Sequence, residues 1–348
     1  MTLEVIYVTR HGFRSNWLVN PSSGEYQAAL TSPTGIPADP ALTAHGVDQA
    51  RELAAHLRSL DPPVDNVYSS PYYRCLQTIE PFVRAPRSDS IVDAQPPRRD
   101  LTVRAEAGLG EWYGPAPFEH PVPADKGVLQ RLFPSLLDPD YESLICPSRR
   151  GETVAELHDR VASTMERIVE QCDREGTRAV LICTHAAVVI ALGRVLTGNM
   201  PEDADTEDFR AYTCGLSVYR RRGSSSSASS PAIRGPRIGG EYANGATVRI
   251  GNAPDDGSGG DGQASTDAKA RRETDWRGGT GVAAGWQCLI NSDCSFLSGG
   301  EERGWRFSGD EAFISTHDQD LDAGMALGVV VEGRSEQSRV KKSDPSRL

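Results

Sequence analysis

The chain has 348 residues, which at roughly 150 residues per domain corresponds to about two domains. Lys and Arg number 37 against 48 Asp and Glu, and the resulting net charge of −11 excludes the broad basic footprint that grips nucleic acid phosphates. Residues 1–4 carry no basic or apolar leader, and the apolar run 179–192 is too short to cross a bilayer. Seven scattered cysteines form no disulfide framework, so a soluble intracellular protein is expected.

Residues 4–9 are a short β-branched run ending at Arg10-His11-Gly12. Thr43 reads as the cap of a helix whose apolar positions Val47, Ala50, Leu53, Ala54, Leu57 and Leu60 recur at helical spacing. Residues 64–69 read as a strand, and Ser70-Pro71 is expected to open a helix with Pro at its first position. Val154, Leu157, Val161, Ile168 and Val169 mark a longer helix that stops before Gly176. Residues 179–183 form a buried strand, followed by His185 and an apolar helix to about Leu196. A further strand covers 216–219. This alternation predicts an α/β three-layer sandwich with a mainly parallel sheet, covered on both faces. Ligands bind such sheets beyond the carboxyl ends of the strands, where His11 and His185 both fall.

Composition changes near Arg220. Residues 222–281 hold 13 Gly, 8 Ser and 3 Pro but no Leu, Phe, Met or Cys, too little apolar surface to offset the entropy of ordering. The expected organisation is a domain at 1–220, a disordered linker at 221–282 and a small β tail at 283–348. In the tail, Trp286, Cys288 and Ile290 alternate, as do Trp305 and Phe307, around a Ser298-Gly299-Gly300 turn. So short a β segment makes a poor core alone and is expected to need a partner sheet.

A phosphate-transfer site needs a nucleophile or base, fixed cations for the phosphoryl oxygens, and an acid for the leaving group. Arg10, His11, Arg14, Arg74 and His185 stand at or near element ends and together would suit a doubly negative phosphate.

Six ordered blocks carry a resemblance: VTRHGFRSNW at 8–17, ALTAHGVDQA at 41–50, YSSPYYRCLQT at 68–78, GLGEW at 108–112, RGETVAELHDRV at 150–161 and CTHAAVV at 183–189. In these the chain resembles the histidine phosphatase (phosphoglycerate mutase-like) superfamily over nearly all of 3–220. The resemblance implies that His11 is the nucleophile and becomes a phosphohistidine, with Arg10, Arg74 and His185 clamping the phosphoryl oxygens. Arg14 is similar to the extra pocket arginine of some phosphatase branches. Glu111 would protonate the leaving oxygen and then activate water, with Glu106 as its competitor. Shielding by Trp112 is expected to raise the Glu111 pKa toward neutrality. No metal and no cofactor are implied. Phe13-Arg14 replaces the acidic residue and Ser or Thr of the mutases, which implies a phosphoric monoester hydrolase and not a mutase. An insert at 17–40 is expected over the pocket mouth.

The piece NSDCSFLSGGEERGWRFSG at 291–309 is similar to the triple-barrel domain of transcription factor IIIC subunits, which in fungi follows a histidine phosphatase domain in one subunit. That implies work in RNA polymerase III transcription, with a larger subunit of the factor bound through the tail and a phosphate ester or inorganic phosphate in the pocket. A nuclear location follows, a cytoplasmic one being the alternative, with no direct contact to nucleic acid or membrane. A stand-alone phosphatase and a catalytically silent assembly module remain the other two readings.

His45, His56, His120, His158 and His317 are read as structural or surface residues. Cys214 and Arg220 match the spacing of a cysteine phosphatase loop, but residues 216–219 between them read as a strand. Cys288 and Cys294 lack the second pair that a zinc site requires. Arg220-Arg221-Arg222 and Lys341-Lys342 read equally as localisation signals or solvated chain.

Overall fold

The computed structural model describes residues 2–85, 101–223 and 276–307, together with the backbone of 329–331. In chain order the elements are β1 (Val5–Arg10), β2 (Trp17–Val19), β3 (Tyr26–Ala28), α1 (Ala44–Leu57), β4 (Asn66–Ser69), α2 (Tyr73–Val83), β5 (Val103–Ala105), α3 (Lys126–Leu132), α4 (Val154–Glu175), β6 (Ala179–Thr184), α5 (Ala186–Thr197), β7 (Leu216–Arg221), β8 (Trp286–Asp293) and β9 (Val329–Val331). Among the described residues no helix is long and apolar enough to cross a membrane.

Six strands form the main sheet in the order β5-β4-β6-β1-β7-β8. The four from β5 to β1 run parallel, while β7 is antiparallel to both β1 and β8. Every residue of β1 is buried, and its side chains divide by parity. Ile6 and Val8 join α4 and α5 in one apolar cluster, whereas Val5 and Tyr7 join α1, α2 and α3 in the other. The chain is thus an α/β sandwich of helices on a mostly parallel sheet, as its strand and helix periods imply. A second sheet, β3-β2-β9, is small and lies in and around the 17–40 insert.

Helix ends follow local chemistry. Thr43 caps α1 by accepting from the Gly46 N–H, and Gly176 closes α4 at φ 72°, a left-handed angle that suits glycine. Thr153 and Glu156 form a reciprocal capping box at the start of α4. The helix expected at Pro71 begins instead at Tyr73. Tyr72, at its N-cap, makes no side-chain cap bond, and the insert supplies Asp39, whose carboxylate accepts from the Tyr73 N–H at 2.8 and 3.1 Å.

The C-terminal strand differs most from expectation. β8 finds its partner within the chain, adding to the β7 edge of the main sheet. The reason is apolar area: Trp276, Trp286 and Trp305 are each no more than 5% exposed and belong to the cluster built on α4 and α5. Residues 276–282, read as linker, therefore pack against the domain, with Val282 fully buried. The rest of that linker, 224–275, and tail residues 308–328 and 332–348, including His317 and Lys341-Lys342, lie outside the described residues. All seven cysteines are free thiols.

Candidate active site

Strand ends carry the site. Arg10 closes β1 and His11 follows it, tied to β6 by its N–H to the Thr184 carbonyl at 2.9 Å. His185 follows β6 as the N-cap of α5, and Arg74 stands in the first turn of α2. Gly12 permits the close approach of α1: a Cβ there would lie 2.8 Å from the Gly46 carbonyl oxygen. Arg10, His11, Arg14, Arg74, Glu111 and His185 are all between 0 and 7% exposed.

The six converge. Arg74 Nη2 donates to Glu111 Oε2 at 2.9 Å, and His185 Nδ1 lies 3.2 Å from the same oxygen. His185 Nε2 is 2.7 Å from Ser70 Oγ, and the His11 and His185 rings meet edge to face at 5.4 Å. One ligand atom from each of His11, Glu111 and His185 lies within 4.8 Å of the others. That grouping has the spacing of a metal site, but Arg10, Arg14 and Arg74 all press positive charge on His11, a setting that repels a cation and suits an anion. Two buried guanidinium N–H groups, Nε of Arg10 and Nε of Arg74, have no hydrogen-bond partner among the described residues.

The titrations follow from these contacts. Burial, then Arg74, Arg10, His185 and Arg14, hold the His11 imidazole well below 6.5, so it is neutral at pH 7. Its Nδ1 is 2.8 Å from the Gly12 carbonyl, which accepts the ring N–H and leaves the Nε2 lone pair exposed to a reactant. Burial opposes charge on His185, but Cys75 and Glu111 outweigh it and raise its pKa above 6.5. Arg10 is lowered to about 10, chiefly by burial.

Glu111 departs from expectation. Burial does push its pKa up, but His185, Arg74 and Arg14 outweigh this and hold the carboxyl well below the usual range. Direct contact with two cations decides the sign over the shielding by Trp112. The competitor Glu106 is engaged elsewhere. Its carboxylate accepts from the Tyr141 hydroxyl at 2.6 Å, from Ser143 Oγ at 2.9 Å and from the Gly108 and Leu144 N–H groups at 2.8 Å.

The insert reaches the site. Trp17, 1% exposed, stacks on Arg14 at 3.9 Å and lies 5.3 Å from Arg74. The Ala38 carbonyl and Asp39 accept from Arg74 Nη1 at 3.1 and 3.3 Å. Burial raises the Asp39 pKa to about 6 while Arg74 and the Tyr73 N–H oppose the rise. Asp39 escapes sequence reasoning because it lies in the insert, outside the six blocks, while Trp17 and Ser70 lie within two of those blocks but receive no site role from them. The one available signal is the uncapped start of α2, which calls for a carboxylate from elsewhere.

The remaining candidates lie apart in structural roles. His56 stacks on Phe296 at 4.2 Å, His120 lies 2.9 Å from the Gly114 carbonyl, and His158 bonds the Val154 carbonyl at 2.6 Å. Between Cys214 and Arg220 the backbone is the strand β7 and offers no anion loop.

Fold and site together define an α/β protein with a buried cluster of cations around two histidines at adjacent strand ends. Comparison narrows the class: the sequence profile of the histidine phosphatase superfamily (branch 1) matches residues 6–230, and the chain belongs to that superfamily. It is 35% identical over 227 residues to the transcription factor tau 55 kDa subunit of Saccharomyces cerevisiae, covering 63% of this chain and 48% of that one. It is 28% identical over 178 residues to the ecdysteroid-phosphate phosphatase of Drosophila melanogaster, covering 50% and 22%. The chain thus spans about half the length of the first relative and less of the second. The crystal structure of the ecdysone phosphate phosphatase of Bombyx mori with tungstate aligns at a TM-score of 0.46 and 19% identity, over 62% of this chain and 89% of that one.

Proposed function

We propose that the chain is a phosphomonoesterase working through a phosphohistidine, within a phosphatase-fold subunit of transcription factor IIIC. The observation that carries the chemistry is the neutral, Nδ1-bonded His11 set edge to face at 5.4 Å on His185, which with Arg74 contacts Glu111 Oε2 at 3.2 and 2.9 Å. His11 Nε2 attacks phosphorus, forming the N–P bond as the P–O bond to the leaving group breaks. Arg10, Arg14, Arg74 and His185 hold the phosphoryl oxygens. A phosphate dianion among these cations draws them from Glu111 and sets negative charge beside it, both of which raise its pKa on ester binding. Glu111 then protonates the leaving oxygen. In the second step it takes a proton from water as the N–P bond breaks, returning His11 and releasing inorganic phosphate. The buried N–H groups of Arg10 and Arg74 support oxygen ligands in this pocket.

The test is hydrolysis of p-nitrophenyl phosphate by the full chain. Activity that His11→Ala abolishes and Glu111→Gln cuts by about 10²–10⁴ supports the reading. A folded, inactive full chain leaves the silent assembly module.

The relation to the yeast tau 55 kDa subunit supports membership in transcription factor IIIC, hence a nuclear role in RNA polymerase III transcription and a larger subunit as partner. Co-expression with that subunit is expected to give one species on gel filtration, and separate elution would favour a stand-alone phosphatase.

A further inference from the structure

The C-terminal segment brings beside Arg10 and Phe13 a residue that the reaction above does not use. Glu302 is anchored on α1, accepting from His45 Nε2 at 2.7 Å and Gln49 Nε2 at 3.0 Å, and its carbonyl accepts from the Thr213 N–H at 3.1 Å. Arg303 comes next. Its carbonyl accepts from Arg10 Nη1, while its own side chain is exposed.

Three observations single out that side chain. First, Arg303 sits at φ 52°, in the left-handed region that favours glycine and strains a long side chain's backbone. An arginine occupies this position although Gly304 stands beside it. Second, the guanidinium is held in place. It lies 4.3 Å over the Phe13 ring and donates to Asn16 Oδ1 at 3.4 Å, and these two residues flank the pocket arginine Arg14. Third, among the described residues no carboxylate pairs with it, since Glu301 faces Arg210 and Glu302 faces His45. Arg303 instead adds to the charge repulsion that Arg10 already bears. Strain and like-charge crowding retained together beside Arg10 mark a binding position. In the phosphatase reading Arg10, Arg14, Arg74 and His185 are assigned to the phosphoryl oxygens, and Arg303 is a neighbouring cation to which that reading gives no task.

We propose that Arg303 is a specificity residue that receives a second anionic group on the leaving group: in a protein substrate, an Asp or Glu beside the phosphorylated residue. This rests on the phosphatase reading above and adds the class of substrate to it.

The test uses pairs of fluorescent phosphopeptides identical but for Glu or Gln flanking the phosphorylated residue, made with phosphoserine and with phosphotyrosine. Binding to full-length His11→Ala protein is read by anisotropy. The Glu-flanked peptide is expected to bind about tenfold tighter than its Gln partner. Adding Arg303→Ala should reduce that preference to within about twofold, and Arg303→Lys should restore part of it. No Glu preference, or one that survives Arg303→Ala, overturns the proposal. Hydrolysis of either peptide by the His11 protein is the separate readout for the phosphatase reading. Absence of both hydrolysis and binding overturns that reading, and this inference with it.

Discussion

His11 and His185 lie one strand apart and titrate in opposite directions. Among the arginines His11 is easier to keep neutral, while His185, between Glu111 and Ser70, is easier to keep charged. Their effects on stability have opposite signs. Below pH 6.5 the unfolded chain protonates at His11 and the folded chain does not, so acidification costs stability through this residue. His185 contributes stability that is complete below 6.5 and is lost as pH rises through its higher folded pKa. Histidine carbon-13 NMR of the full chain is expected to show His11 still neutral at pH 6 and His185 titrating above 6.5. A His11 signal with a midpoint near 6.5 would contradict the electrostatics described. The residues themselves were legible in the sequence, because strand ends and RHG or THA pieces mark them. The sign at Glu111 was not, because it depends on contacts at 3.2 Å with His185 and 2.9 Å with Arg74, both distant from it in the chain.

At the scale of elements, α4 braces the loop that carries Glu111. Arg160 donates to the carbonyls of Gly108 and Gly110 at 2.7 and 3.2 Å, just ahead of Glu111. Its Nε and Nη2 grip the Glu152 carboxylate at 2.8–2.9 Å, and the Glu152 carbonyl accepts from the Trp112 indole at 2.7 Å. Glu111 is thus fastened on both sides through one helix. Both charged side chains are buried, so Arg160→Met is expected to cost about 3–5 kcal/mol in urea unfolding, with Arg160→Met/Glu152→Leu losing less than the single change. A single-variant loss under about 1 kcal/mol would remove the bracing role. The periods of α1, α4 and α5 were readable over several turns. The three-residue strands β2, β3 and β5 were not, because so few residues show no alternation and their pairing is set by the sheet they join.

Across the whole molecule, the segment 276–307 completes the domain. Trp276, Trp286 and Trp305 bury against α4, α5 and β7, and truncating one such side chain costs about 3–5 kcal/mol. A chain ending at 223 forfeits all three contacts along with the β7–β8 ladder. Its denaturation midpoint is expected to fall far below that of the full chain, or cooperative unfolding to be lost. Equal midpoints would show that the front domain needs no such cover. The sequence pattern marks β8 as a strand but says nothing of its partner, which lies across the 224–275 stretch.

The bond between Arg10 and the Arg303 carbonyl joins positions 293 residues apart. During synthesis at about 5–20 residues per second, Arg10 would be made roughly 15–60 s before this acceptor. Until then β1 and β6 can pair and His11 can meet His185, with Arg10 held by the Ala211 carbonyl at 2.7 Å but not yet by that of Arg303. The second fastening of Arg10 is therefore acquired late in translation, and a nascent or prematurely stopped chain of this kind would hold the two histidines without it.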